Sequence, residues 1–74
     1  MEEQLREVFA RELGIGTEEV QDSLRFAEHP AWDSVAHMAL IAGIEKAFNT
    51  MIDADDVIAM SSFAIAKNIV ARHL

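Results

Sequence analysis

The stretch Trp32-Asp33-Ser34-Val35 opens a run that continues without a proline to Phe48, and it marks where the chain passes from irregular to periodic sequence. Within that run Leu40, Ile41, Ile44 and Phe48 fall on one stripe at helical spacing, with Val35, Met38 and Ala42 to one side. Only Gly43 weakens the pattern. The spacing predicts a central helix over Ser34 to Phe48, with Asp33 as its N-cap.

A second tripeptide, Asp22-Ser23-Leu24, resembles Asp33-Ser34-Val35 and lies eleven residues earlier. Pro30 would end any helix begun there within about two turns, so Ser23 reads as a turn or cap residue and Leu24 as a core anchor. Ser34, by contrast, falls in the first turn of a continuous helix. Its hydroxyl would lie near unpaired backbone N–H groups and the positive end of the dipole, where an attached phosphate is electrostatically favoured.

Working outward, Leu5, Val8, Phe9 and Leu13 place a first helix over Glu2 to Leu13, stopped by Gly14. Gly14 to Asp33 is a long connection holding two glycines and the single proline, with at most a helical turn at Thr17-Glu18-Glu19-Val20. Ile15, Val20, Leu24 and Phe26 are expected to pin it to the core. Beyond Phe48, Asn49-Thr50 reads as an exit, and Asp53, Asp55 and Asp56 before Val57, Ile58 and Met60 indicate a short helix with a capped start. Ser61 or Ser62 can cap a last helix carrying Phe63, Ala66, Ile69 and Val70, with Lys67, Arg72 and His73 toward its negative end. No strand is predicted. The expected fold is all-α: a small four-helix bundle of three main helices and one short one, with a long first loop, in a single domain over residues 1–74.

Composition narrows the function. Thirteen acidic against six basic residues give a net charge of −7, which repels nucleic-acid phosphates and anionic membranes and favours basic protein surfaces as partners. No segment approaches the roughly 20 apolar residues of a membrane span, and the acidic start, Met1-Glu2-Glu3, is unlike a secretory signal. Cysteine is absent, which excludes disulfides and thiolate chemistry; a reducing cytoplasm is the simplest location and a monomer the expected state.

Other constellations are weaker. Ser34 and His37 would share a helix face as nucleophile and base do, but no orienting acid, cleft or oxyanion hole accompanies them, so His37 reads as a surface residue near Ser34. His29, His37 and His73 are too scattered for a metal site, and Asp53, Asp55 and Asp56 lack the glycine and distal glutamate of a calcium loop. No metal is expected.

Taken together, Asp33-Ser34-Val35 at mid-chain, the central helix ending in Phe48, Ile52 soon after, the acidic short helix and the serine-capped last helix resemble an acyl carrier protein along essentially the whole chain. The fuller stretch Trp32-Asp33-Ser34-Val35-Ala36-His37 is similar to discrete carriers of specialised pathways, polyketide or nonribosomal peptide among them, more than to those of housekeeping fatty-acid synthesis. The resemblance implies that a phosphopantetheinyl transferase esterifies Ser34 with 4′-phosphopantetheine from coenzyme A. Acyl or aminoacyl groups would then travel as thioesters between loading and processing enzymes, the protein itself catalysing nothing.

The chain departs from the family in two places. Where carriers of this kind usually present acidic residues along the central helix, Ala36, Ala39 and then Glu45-Lys46 stand, and the charge has moved to Glu18, Glu19, Asp22 and Glu28 and to the short helix. Docking is therefore expected on an apolar patch of Val35, Met38 and Met51, with distant charge steering the approach. His29-Pro30-Ala31-Trp32 replaces the customary glycine before Asp33, and Trp32 either packs on the bundle or, with His37, faces the partner. Ala39, Ala42 and Gly43 would either leave room for cargo or let helices pack closely. Without the resemblance, Ser34 would be an ordinary helix serine and the protein an unmodified helical interaction module using the same patch.

Overall fold

In the computed structural model, which describes residues 1–74, the first helix, α1, spans Glu2–Leu13 and buries Leu5, Val8, Phe9, Ala10 and Leu13. It ends because Gly14 turns left-handed (φ 69°) and donates its N–H to the Ala10 carbonyl, a conformation costly for residues with a β-carbon. The stripe of apolar residues thus faces a common interior.

The loop that follows is ordered by local devices. After a single 3₁₀ turn at Thr17–Glu19, Val20 and Leu24 enter the core, while Ile15 and Phe26 pack partly buried against it. The Arg6 Nε–H donates to the Val20 carbonyl at 3.0 Å, and Lys67 pairs with Asp22 at 2.7 Å. Arg25 and Ser62 form an isolated antiparallel bridge: Phe26 N–H donates to the Ser61 carbonyl, and Phe63 N–H to the Leu24 carbonyl, at 2.9 and 3.1 Å. The loop then folds back on itself through Ala27, left-handed at φ 68°, whose N–H meets the Trp32 carbonyl at 2.9 Å.

The central helix, α2, runs over Ser34–Phe48 and buries Leu40, Ile41 and Ile44, with Phe48 partly buried. Gly43 is the point of close approach to α1, since a β-carbon there would sit 2.9 Å from Glu12 Cγ. Asn49, left-handed at φ 52°, closes the helix. The short α3, Ala54–Ala59, is capped by Asp53, whose Oδ1 accepts the Asp56 N–H at 2.8 Å, and none of its own side chains is fully buried. Ser62 caps α4, Phe63–His73, through its Oγ, which accepts the Ile65 N–H at 3.0 Å; Phe63, Ala66, Ile69 and Val70 point inward.

The result is the all-helical arrangement expected, three main helices and one short one. The sequence left open which of Ser61 and Ser62 caps α4, and Ser62 does. At the centre Trp32 is wholly buried, edge-on to Phe9 with centroids 5.2 Å apart, while Phe9 meets Phe63 edge-on at 5.1 Å. The residue leading into α2 is therefore itself a core residue.

Candidate functional site

Asp33 leaves the loop in an extended conformation, and its Oδ1 accepts the Ala36 N–H at 2.8 Å while its carbonyl accepts the His37 N–H at the same distance. These two bonds define the first turn of α2. Ser34 stands exposed in that turn, its side chain outside the hydrogen bonds that hold the turn together. The hydroxyl is open to a modifying partner, beside N–H groups that a helix leaves without intrahelical acceptors.

Ser23 is also exposed, but in a different setting: Leu24 N–H donates to the Gln21 carbonyl at 2.9 Å, so Ser23 lies within a turn, beside Asp22, which Lys67 holds, and buried Leu24. It is the turn residue its sequence context indicates.

Along α2 and the segments after it several large apolar side chains are exposed. Val35 is 82% exposed, Met38 62% and Met51 77%, and Ile58 on α3, which sequence reasoning did not single out, reaches 81%. Ala39 and Ala42 are exposed between them, and Lys46 follows. Glu45 lines the same surface hollow as Ala42, Lys46 and Met51, and its Oε2 accepts the Ile52 N–H at 2.8 Å and so secures the turn after α2.

The expected surface place of His37 requires correction, and the alternatives left open for Trp32, which packs on the bundle, and for the small residues of α2 are decided. Trp32 and His37 do not face a partner: Trp32 has no exposed surface and His37 only 9%. The reason is mutual. Trp32 Nε1–H donates to His37 Nδ1 at 2.9 Å, and His37 Nε2 lies 2.8 Å from the Val57 carbonyl, so each satisfies polar atoms the other brings inside. Nor do Ala39 and Ala42 provide interior room, being exposed, while Gly43 serves close packing. The one apolar cavity beside the site lies elsewhere, about 240 Å³ between the loop, α2 and α3, lined by Phe26, His37, Val57, Ile58, Met60 and Ser61.

The remaining histidines are engaged separately. His29 Nε2 pairs with Glu19 at 3.2 Å, a bond that with the Gly16 N–H holds the Glu19 carboxyl below its ordinary range. His73 and Arg72 each take one oxygen of Asp56 at 3.0 Å, fastening α3 to the end of α4. The hydrogen bond from His73, aided by Arg72, lowers the Asp56 pKa.

Comparison with known protein families adds one finding: residues 3–64 match the family described as phosphopantetheine attachment site.

Proposed function

Because the chain belongs to the phosphopantetheine attachment site family, we propose that Ser34 is the residue that bears its 4′-phosphopantetheine arm. The chain is a phosphopantetheine-carrying protein, of a family modified by phosphopantetheinyl transferases and served by pathway enzymes. When attached, the arm supplies a terminal thiol on which acyl or aminoacyl groups are carried. The residues around Ser34 suit that attachment: the hydroxyl is exposed, and with the Ala36 and His37 N–H groups taken by Asp33, those of Ser34 and Val35 are left in the first turn for a phosphate.

The observation that carries this assignment is the exposed position of Ser34 in the first turn of α2, ahead of an apolar surface. Val35, Met38, Met51 and Ile58 would form the ground on which the transferase and the loading and processing enzymes dock, acidic groups elsewhere steering the encounter. Tethering then turns each visit to an enzyme into a near-intramolecular event. We place the protein in polyketide, nonribosomal peptide or related specialised metabolism, because the docking helix presents Ala39, Ala42 and Lys46 where an acidic stripe would be expected.

Incubation with coenzyme A and a broad-specificity phosphopantetheinyl transferase tests the assignment. One phosphopantetheine should be gained by the wild type and by Ser23→Ala but not by Ser34→Ala. A gain kept in Ser34→Ala and lost in Ser23→Ala would move the site, and no gain on folded wild-type protein would favour an unmodified interaction module.

A further inference from the structure

His37 is a buried ionisable group that carriage of an arm does not itself require. Its two ring nitrogens have partners of opposite kind: the Trp32 indole N–H can only donate, so Nδ1 must be bare, and the Val57 carbonyl can only accept, so Nε2 must carry the proton. Only the neutral Nε2–H tautomer meets both. The backbone of the same residue donates to the Asp33 carbonyl at 2.8 Å. One residue thereby joins the segment leading into Ser34, the first turn of α2, and α3.

That junction matters because α3 has few other holds. It buries no side chain completely, and apart from Val57 against the core and Met60 just beyond it, its polar tie is Asp56 to Arg72 and His73, at the far end of α4. A second ring proton would set Nδ1–H against the Trp32 N–H, donor against donor, and bury a charge. No ionisable side chain pairs with His37 to offset it. The cavity it shares with Phe26, Val57, Ile58, Met60 and Ser61 holds no carboxylate. Asp33, on its own helix, is engaged by Ala36; Asp56, on α3, by Arg72 and His73; and Arg25, in the loop beside Phe26, is exposed and of the wrong sign. A charged ring must turn toward water and release Val57.

We propose that His37 is a positioning residue for modification of Ser34: as a neutral strut it holds α3 and the Trp32 segment to the first turn of α2, and its protonation frees Val57 and Ile58. Ile58 then loses its fixed place at the cavity it lines with Phe26 and His37. The effect on modification rests on Ser34 being the attachment residue; the strut does not.

The test follows ring, indole and amide resonances of the isotope-labelled, unmodified protein as it is acidified stepwise from about pH 8 until the ring gains its charge. At the high end His37 should be the Nε2–H tautomer. On acidification the Trp32 indole N–H and the Val57 and Ile58 amides should change in one step with the His37 ring. In His37→Gln, whose amide offers one donor and one acceptor, that step should vanish. Modification of wild type at the acid end should fall roughly threefold to tenfold below that of His37→Gln, a loss of about 0.7 to 1.4 kcal/mol.

An Nδ1–H tautomer, or a His37 titration that leaves Trp32 and Val57 unchanged, overturns the strut, and wild-type protein alone suffices to see either. Equal rates for the two proteins at acid pH overturn the role in modification. Absence of Ser34 modification in both would sink the carrier assignment, while the ring titration would still report on the strut.

Discussion

Glu45 Oε2 accepts the backbone N–H of Ile52 at 2.8 Å, which ties the one acidic side chain in the body of α2 to the turn after the helix. Val35, Met38, Ala39 and Ala42 are exposed along the helix, with Lys46 beyond them. Glu45→Ala should lower stability by about 1 kcal/mol, since a charge-assisted bond to a backbone donor is lost at a partly exposed site. Urea unfolding reads this directly. Unchanged stability together with a large loss of enzyme binding would mean that Glu45 serves partners rather than the turn.

Met38 is one of the large apolar side chains that α2 leaves exposed. Met38→Glu should weaken binding to a cognate pathway enzyme by roughly tenfold, as loss of a buried interface anchor does, while moderate salt should mainly slow association. Binding that survives Met38→Glu but collapses in salt would reverse the division of labour.

The bond from Ala36 N–H to Asp33 Oδ1 makes Asp33 a structural neighbour of Ser34. Asp33→Ala should cost about 1 kcal/mol by thermal or urea unfolding, and Asp33→Asn, which keeps an acceptor oxygen, much less. Equal stability of all three proteins would show that the cap is not formed in solution.

Ala27 holds a left-handed conformation at φ 68° in the turn that delivers Trp32 to the core. A residue with a β-carbon pays about 1 to 2 kcal/mol there, against about 0.4 to 1 kcal/mol of extra chain entropy that glycine loses on folding. Ala27→Gly should therefore stabilise the protein by roughly 0.5 to 1 kcal/mol, seen as a higher urea midpoint. Destabilisation would imply that the turn differs from the one described.

The pKa of Asp56 is lowered, chiefly by the bond from His73 and then by Arg72. A carboxyl depressed on folding contributes stability that is present above its unfolded pKa, about 3.9, and is lost as pH falls through the lower folded value. Wild type should thus exceed Asp56→Asn in stability near pH 5, and the gap should close under stronger acid. A gap that widens as pH falls would contradict the sign.

Much of this was legible because helical periodicity is a local property. Leu5, Val8, Phe9 and Leu13, the stripe from Leu40 to Ile44, and the caps at Asp33 and Asp53 could be read from spacing alone, and residues 3–64 bear out the family resemblance drawn from them. What escaped depends on contacts distant in sequence. The inward turn of His37 requires Val57, twenty residues on, and Trp32 to supply opposite hydrogen-bonding partners, and no pattern within α2 announces that. Ile58 was hidden for a similar reason, since in a helix of six residues the buried and exposed apolar positions cannot be told apart by period. The Arg25–Ser62 bridge likewise joins two segments that each look irregular.

The central claim concerns one hydroxyl, and the chain's own basic residues make it directly measurable. Trypsin cutting after Arg11, Arg25 and Lys46 places Ser23 in one peptide, residues 12–25, and Ser34 in another, residues 26–46, where it is the only hydroxyl-bearing side chain. Tandem mass spectrometry of transferase-treated protein should find phosphopantetheine on the 26–46 peptide and lose it on fragmentation from Ser34. The same mass carried on 12–25, or on neither peptide of a folded protein, would contradict the account.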